Sequence, residues 1–160
     1  MAARDVLMIG VLLFTFAIGF FIINYVVGEV VTDMTETPTL NDTTGFSDTM
    51  GGITKVTGRL DYVVFGLFIG LILSLIITGW FIGGNPIYMF IYFIVTIIAV
   101  VLATFFANVW EQVSETAIFG TNVASFTLTN NIMLNLPIYM AVVGFIGLIA
   151  MFAKPFMESK

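Results

Sequence analysis

Long stretches without any charged side chain alternate with short polar segments along this chain. Residues 6–28, 62–110 and 116–153 contain no Asp, Glu, Lys or Arg. A bilayer core about 30 Å thick is crossed by roughly 20 helical residues, so the second stretch is long enough for two crossings. In the third stretch, polar residues interrupt the first half. We therefore predict an all-α membrane protein with four transmembrane helices, at residues 6–31, 62–83, 86–110 and 132–154.

The second and third predicted helices are separated by Gly83, Gly84, Asn85 and Pro86. Asn is a good N-cap and Pro is favoured at the first helical position, so this sequence predicts a turn and then a new helix. We expect the two helices to form an antiparallel hairpin within a single membrane domain, residues 1–160. A polar loop at residues 32–61 precedes the hairpin. An interfacial connector at residues 111–131 follows it, with a short surface helix over 111–119.

Small side chains recur every four residues on both helices of this hairpin. Gly66, Gly70 and Ser74 form one row, and Ala99 and Ala103 form the other. Helices in lipid associate through close backbone approach, which rows of small residues permit. The sequence therefore predicts that these two rows pack against each other.

The composition supports the membrane assignment and removes most kinds of chemistry. Hydrophobic residues make up 59% of the chain and charged residues only 9%, against roughly 25% in soluble domains. Five Lys and Arg residues cannot form a basic nucleic-acid surface. The chain has no His and no Cys, which are the usual ligands of zinc, haem and iron–sulfur clusters. We expect no enzymatic activity, no catalytic residue, no cofactor and no metal.

The predicted helices also lack the groups that a transporter needs. Proton-coupled transporters and voltage sensors carry ionisable side chains inside the membrane, and the interior of each predicted helix has none. We interpret the first apolar segment as a retained anchor, because it is longer than the 7–15 apolar residues usual in a signal peptide.

Charge divides unequally between the two sides that four crossings define. The side with both termini has Arg4, Lys154 and Lys160 against Asp5 and Glu158, a balance of +1 within the total of −5. The other side therefore carries −6. Three of the five basic residues lie on the terminal side, which favours a cytoplasmic location for both termini.

Four carboxylates in the polar loop, Asp33, Glu36, Asp42 and Asp48, are the candidate contacts for a partner protein. A second interpretation is that the loop only connects two helices and that its carboxylates contact solvent. Both interpretations stand at this point. Asn24, near the end of the first helix, is open to two readings as well: a hydrogen bond to another helix, or contact with water at the headgroups.

Short motifs around the third and fourth helices resemble a known group of proteins. The motifs are Gly84-Asn85-Pro86-Ile87, Ala107-Asn108-Val109-Trp110-Glu111 and Asn130-Asn131-Ile132-Met133-Leu134-Asn135-Leu136-Pro137. They resemble small multi-span membrane proteins of tailless icosahedral bacterial viruses that contain an internal lipid bilayer. The resemblance implies a structural protein of the virion membrane, which helps tie the bilayer to the capsid, and it brings no catalytic residue with it.

Two other functions fit the same size and number of helices. One is a holin or small pore in the host cell membrane, and the other is an accessory subunit of a cellular membrane complex. In each case the expected partners are the lipid bilayer and other membrane or capsid proteins, with self-association as a further expectation and no nucleic acid.

Overall fold

The computed structural model describes residues 2–41, 45–82 and 86–158, and every regular element within them is a helix. The eight helices in these ranges are α1 (Ala2–Glu36), α2 (Pro38–Asn41), α3 (Phe46–Thr57), α4 (Leu60–Ile82), α5 (Pro86–Ser114), α6 (Gly120–Val123), α7 (Thr127–Leu134) and α8 (Leu136–Glu158). Four helical segments, in α1, α4, α5 and α8, are long and apolar enough to cross a membrane. The prediction of an all-α chain with four such helices is confirmed.

Large apolar side chains cover the outside of these four helices. Phe90 and Phe105 on α5 are 65% and 62% exposed, and Phe145 on α8 is 63% exposed. In water these exposed apolar surfaces would favour aggregation, whereas in a bilayer they contact lipid chains. A helix also satisfies its own backbone hydrogen bonds, which lipid cannot do.

The four long helices pack in a ring. The contacts of α1 are mainly with α4 and α5, and α8 packs against the same two helices from the other side. In the described residues α4 and α5 have no extended contact with each other, so they lie diagonally across the bundle. Phe14 of α1 stacks on Phe106 of α5 at 4.6 Å between ring centroids, and Phe68 of α4 meets Tyr139 of α8 at 5.4 Å.

This arrangement does not bring together the two rows of small residues. No atom lies within 4 Å of the position that a Cβ atom would take at Gly66 or Gly70, and Ser74 is exposed. Ala99 and Ala103 are buried, at 3% and 1% exposure, on α5, which packs against α1 and α8. The predicted contact between the rows is therefore absent from the described part of the chain, because α4 and α5 are diagonal rather than adjacent.

Close approach occurs instead at two glycines of α8. A methyl group at Gly144 would overlap the side chain of Thr96, and one at Gly147 would overlap the Tyr92 hydroxyl. On the α4 side, a methyl group at Gly79 would lie 3.3 Å from the carbonyl oxygen of Gly147. Gly147 therefore lies where α4, α5 and α8 meet, and a side chain there would force the helices apart.

The segment predicted as a polar loop, residues 32–61, is mostly helical. The 35 residues of α1 continue to Glu36 and extend about 52 Å at about 1.5 Å per residue, well beyond a 30 Å bilayer core. The helix α3 follows. Its Thr residues are compatible with a helix because their hydroxyls donate to carbonyls one turn back, as Thr54 Oγ1 does to Met50 O at 3.0 Å.

The connector also differs from its prediction. Residues 111–114 continue α5, so no separate surface helix covers 111–119. Two short helices, α6 and α7, follow, and the fourth long helix begins at Leu136 rather than at residue 132. The break falls at Asn135, whose backbone is not helical (φ −102°, ψ 15°).

Candidate functional site

Polar side chains gather at one end of the bundle. There α1 packs with α2, α3 and α6, while α7 packs against α4 and α5. We call this part, residues 28–41, 45–60 and 111–135, the polar head. It contains most of the exposed polar and charged side chains on this side of the chain, together with the core residues Phe126, Ile132 and Met133.

A buried carboxylate joins the polar head to the bundle. Asp61, in the first turn of α4, is only 6% exposed. Its Oδ1 accepts hydrogen bonds from the backbone N–H and the hydroxyl of Thr129, both at 2.7 Å, and its Oδ2 accepts one from the N–H of Leu128 at 3.0 Å. Three donors from α7 thus converge on a single side chain.

This carboxylate acts as the missing N-cap of α7. The first N–H groups of a helix have no partner within the helix, and a residue such as Ser or Asp usually satisfies them. The N-cap position of α7 is Phe126, whose side chain makes no capping bond. Asp61 supplies the cap from a distance of 68 residues. Its negative charge also lies at the N-terminal ends of both α4 and α7, where the helix dipole favours it.

An aromatic cluster supports the same junction. Phe21 of α1 lies 5.2 Å from Trp110, 5.3 Å from Phe119 and 5.5 Å from Phe126, measured between ring centroids. Trp110 Nε1–H donates to the side-chain oxygen of Asn130 at 2.8 Å. Buried indole groups usually need such a partner. The cluster and the hydrogen bond therefore fix α5, α7 and the segment between them against α1.

The exposed surface of the polar head carries the predicted carboxylates. Asp33 and Glu36 lie on the last two turns of α1, and Asp48 lies in the first turn of α3; all three are exposed. Asp42 lies outside the described residues. These side chains are thus displayed on helices that pack against each other, rather than on an irregular loop.

A polar cleft of about 280 Å³ opens between α1, α3 and α6. Asn24, Thr32, Thr54, Thr57, Asn122 and Ser125 line it, together with Val27 and Val31. Asn24 is 9% exposed and has no hydrogen-bond partner in the described part of the chain. The interhelical hydrogen bond considered for Asn24 is therefore not formed there, and its amide faces the cleft instead.

Asp61 and the cleft were not identified from the sequence. Asp61 immediately precedes an uncharged run, so it resembles any charged residue at the edge of a membrane helix. Its position before Tyr62 does favour a helix N-terminus, but nothing nearby in the sequence points to Thr129. Among the described residues, no group of three or more Asp and Glu side chains comes close enough together to hold a metal ion.

Protein-family models, curated proteins and solved structures give no match to this chain.

Proposed function

We propose that this chain is a non-enzymatic structural protein of a membrane, and that it helps tie the bilayer of a viral internal membrane to the surrounding protein shell. The observation that supports this most is the acidic polar head, whose exposed carboxylates lie on α1 and α3. Asp61 accepts hydrogen bonds from α7, and Trp110 donates one to Asn130, so the connector of the head is held on the membrane bundle.

The length of α1 places these carboxylates clear of the membrane. Arg4 and Asn24 are 20 residues apart, which is about 30 Å along a helix and matches the hydrocarbon thickness. Asp33 and Glu36 lie 9 and 12 residues beyond Asn24, or about 14 Å and 18 Å further on. A helix of this kind carries acidic groups past the lipid headgroups to the level of an adjacent protein layer.

The charge of the polar head defines the partner surface that suits it. The side of the chain with the polar head carries a balance of −6 within the total of −5. A shell protein with basic side chains on its inner surface is the complementary partner. Attachment between exposed charges is screened by salt, with a Debye length of about 8 Å at physiological ionic strength. We therefore expect the attachment to weaken as salt is added.

The packed interior of the bundle supports an anchor over a pore. Large apolar side chains fill the centre, among them Leu13, Phe21, Tyr92 and Trp110, each at most 1% exposed. No polar stripe runs along the described helices to line a water-filled path. A holin would have to form its channel between several copies, through surfaces that are now covered with Val, Ile, Leu and Phe.

The test is charge neutralisation with a matched control. The triple variant Asp33→Asn, Glu36→Gln, Asp48→Asn removes three exposed negative charges from α1 and α3. The control, Asp33→Glu with Glu36→Asp and Asp48→Glu, changes the same three side chains and keeps their negative charge. Each variant is expressed during infection, and its recovery in purified membrane-containing particles is measured across a salt series.

The proposal predicts that the triple variant inserts normally but is recovered several-fold less, and that its remaining attachment depends less steeply on salt. The control should behave like the unchanged chain. Equal recovery of the triple variant at every salt concentration would show that these charges only contact solvent. Loss of membrane potential when the chain is expressed alone would favour the pore. Co-purification with cellular membrane proteins and never with particles would favour the accessory subunit.

A further inference from the structure

The cleft at the base of the polar head presents the amide of Asn24. The residue as a whole is 9% exposed, and its side chain has no hydrogen-bond partner in the described residues. Its amide atoms are nevertheless open to the cleft, because among the described side chains only the Tyr92 hydroxyl is both enclosed and unpartnered. The Asn24 amide is therefore available to bind water or a polar ligand that enters the cleft.

The cleft lies at the level of the lipid headgroups. Asn24 is about 30 Å along α1 from Arg4, so it lies near the far boundary of the hydrocarbon core. Val27 and Val31 line the same cleft one and two turns further along. The cleft therefore has polar groups for a headgroup and an apolar wall beside it.

The lining specifies the charge of the ligand. No charged side chain lines the cleft. In the sequence, Glu29 and Asp33 neighbour lining residues of α1, while Lys55 and Arg59 neighbour the lining residues Thr54 and Gly58. These flanking charges balance, so they favour neither an anionic nor a cationic ligand. A cation would find no carboxylate in the lining. The ligand that suits the cleft is therefore neutral.

The lining also specifies a ligand rich in hydroxyl groups. Thr32 and Thr54 already donate their hydroxyl hydrogens to backbone carbonyls, at 2.9 Å and 3.0 Å, so their oxygens remain as acceptors. The amides of Asn24 and Asn122 provide both donors and acceptors. A hydroxyl group both donates and accepts, so a polyol uses both kinds of partner.

The volume limits the size of the ligand. Sites for drug-sized ligands usually measure about 300–1,000 Å³, and this cleft measures about 280 Å³. It is large enough for a sugar-sized group and too small for a nucleotide cofactor. We propose that the cleft binds the neutral, hydroxyl-rich headgroup of a glycosyl diacylglycerol lipid from the surrounding bilayer. This site does not depend on attachment to a protein shell.

Two substitutions test the site without disturbing the fold. No atom lies within 4 Å of a Cβ position at Gly28, which lines the cleft, so Gly28→Leu fills the cleft. Gly19→Leu is the control, because its Cβ position on the same helix is equally unobstructed and Gly19 does not line the cleft. Asn24→Leu keeps the size of the side chain and removes the amide.

The measurement is lipid retention by native mass spectrometry. The protein is purified in an amine-oxide detergent, because a sugar detergent would compete for the cleft. It is then exposed to monoglucosyl diacylglycerol, to phosphatidylcholine with the same acyl chains, or to free glucose. We expect one glycolipid to be retained per chain, with an affinity at least about tenfold above that for phosphatidylcholine.

The variants decide the outcome. Gly28→Leu and Asn24→Leu should each reduce glycolipid affinity by about tenfold or more, and Gly19→Leu should leave it unchanged. Equal retention of the two lipids, or unchanged glycolipid retention by Gly28→Leu, would overturn the proposal. Binding of free glucose as tightly as the glycolipid would assign the cleft to a soluble polyol and overturn the lipid assignment.

Discussion

Replacing Asp61 should release α7 from the bundle. Asp61→Ala leaves the backbone N–H groups of Leu128 and Thr129 and the Thr129 hydroxyl without their acceptor. Each buried donor left unsatisfied costs about 1–3 kcal/mol, and these costs are not fully additive. We therefore expect the free energy of unfolding to fall by about 4 kcal/mol. Thr129→Val keeps the volume and removes one of the three donors, so it should cost about 1 kcal/mol.

The assay follows unfolding and local opening separately. Unfolding in mixed micelles of increasing sodium dodecyl sulfate content can be monitored by the fluorescence of Trp110, in a background where Trp80→Phe removes the other indole. Hydrogen exchange of the peptide that covers Thr127–Leu134 reports on α7 itself. Exchange in this peptide should accelerate far more in Asp61→Ala than exchange in the middle of α5.

Asp48→Ala is the matched control, because Asp48 is an exposed carboxylate in the first turn of α3. It should change the free energy of unfolding by no more than about 0.5 kcal/mol. If Asp61→Ala unfolds like Asp48→Ala, and α7 exchanges at the same rate in both, the carboxylate does not cap α7 and the reasoning fails. A double variant of Asp61→Ala and Thr129→Val should cost less than the sum of the two, since both remove one shared hydrogen bond.

Two other predictions concern packing and topology. Gly147→Ala should destabilise the bundle by about 2 kcal/mol, because its methyl group overlaps Tyr92, whereas Gly70→Ala, with open space around it, should be neutral or stabilise by up to about 1 kcal/mol. Unfolding in mixed micelles measures both, and equal tolerance would contradict the close packing at α8. Single Cys residues at Ala3 and Gly120 should react with an impermeant thiol reagent from opposite faces of the membrane, since an odd number of crossings separates them. Labelling of both from one face would refute the four crossings.

The sequence was sufficient to predict the long helices, because a bilayer imposes a simple condition. A run of about 20 uncharged apolar residues can only be buried in lipid as a helix, and this chain has several such runs. The helix α5 begins at Pro86, where the third predicted helix also starts. Its local sequence, with Pro at the first position, is enough to indicate a helix start there.

One row of small residues does not determine which helices of a membrane protein pack together. The spacing of Gly66 and Gly70 predicts a helix contact, yet these glycines are not covered by any other part of the described chain. The glycines that do pack, Gly144 and Gly147, show a shorter and less regular pattern. Lipid solvates every apolar face about equally, so hydrophobicity does not show which side of a helix is buried.

The polar head was the hardest part to predict. Thr-rich segments favour loops in water, but in this chain the Thr hydroxyls bond to the preceding helical turn, so α3 accommodates them. The cap of α7 comes from another helix, and Phe126 at the N-cap position gives no sign of it. A local sequence pattern does not predict a contact between residues as far apart in the chain as Asp61 and Thr129.

The diagonal placement of α4 and α5 has a consequence for how the protein assembles during synthesis. Membrane helices leave the ribosome one after another, and a helix that packs on one already inserted can associate with it at once. Here α4 and α5 share little surface, and the glycine that joins them, Gly147, belongs to the last helix to be made. The side of the bundle between α4 and α5 can therefore close only after α8 has inserted. In chains that end before residue 136, α4 and α5 can each pack only on α1, and the surfaces around Gly79 and Tyr92 that α8 covers should stay open to lipid.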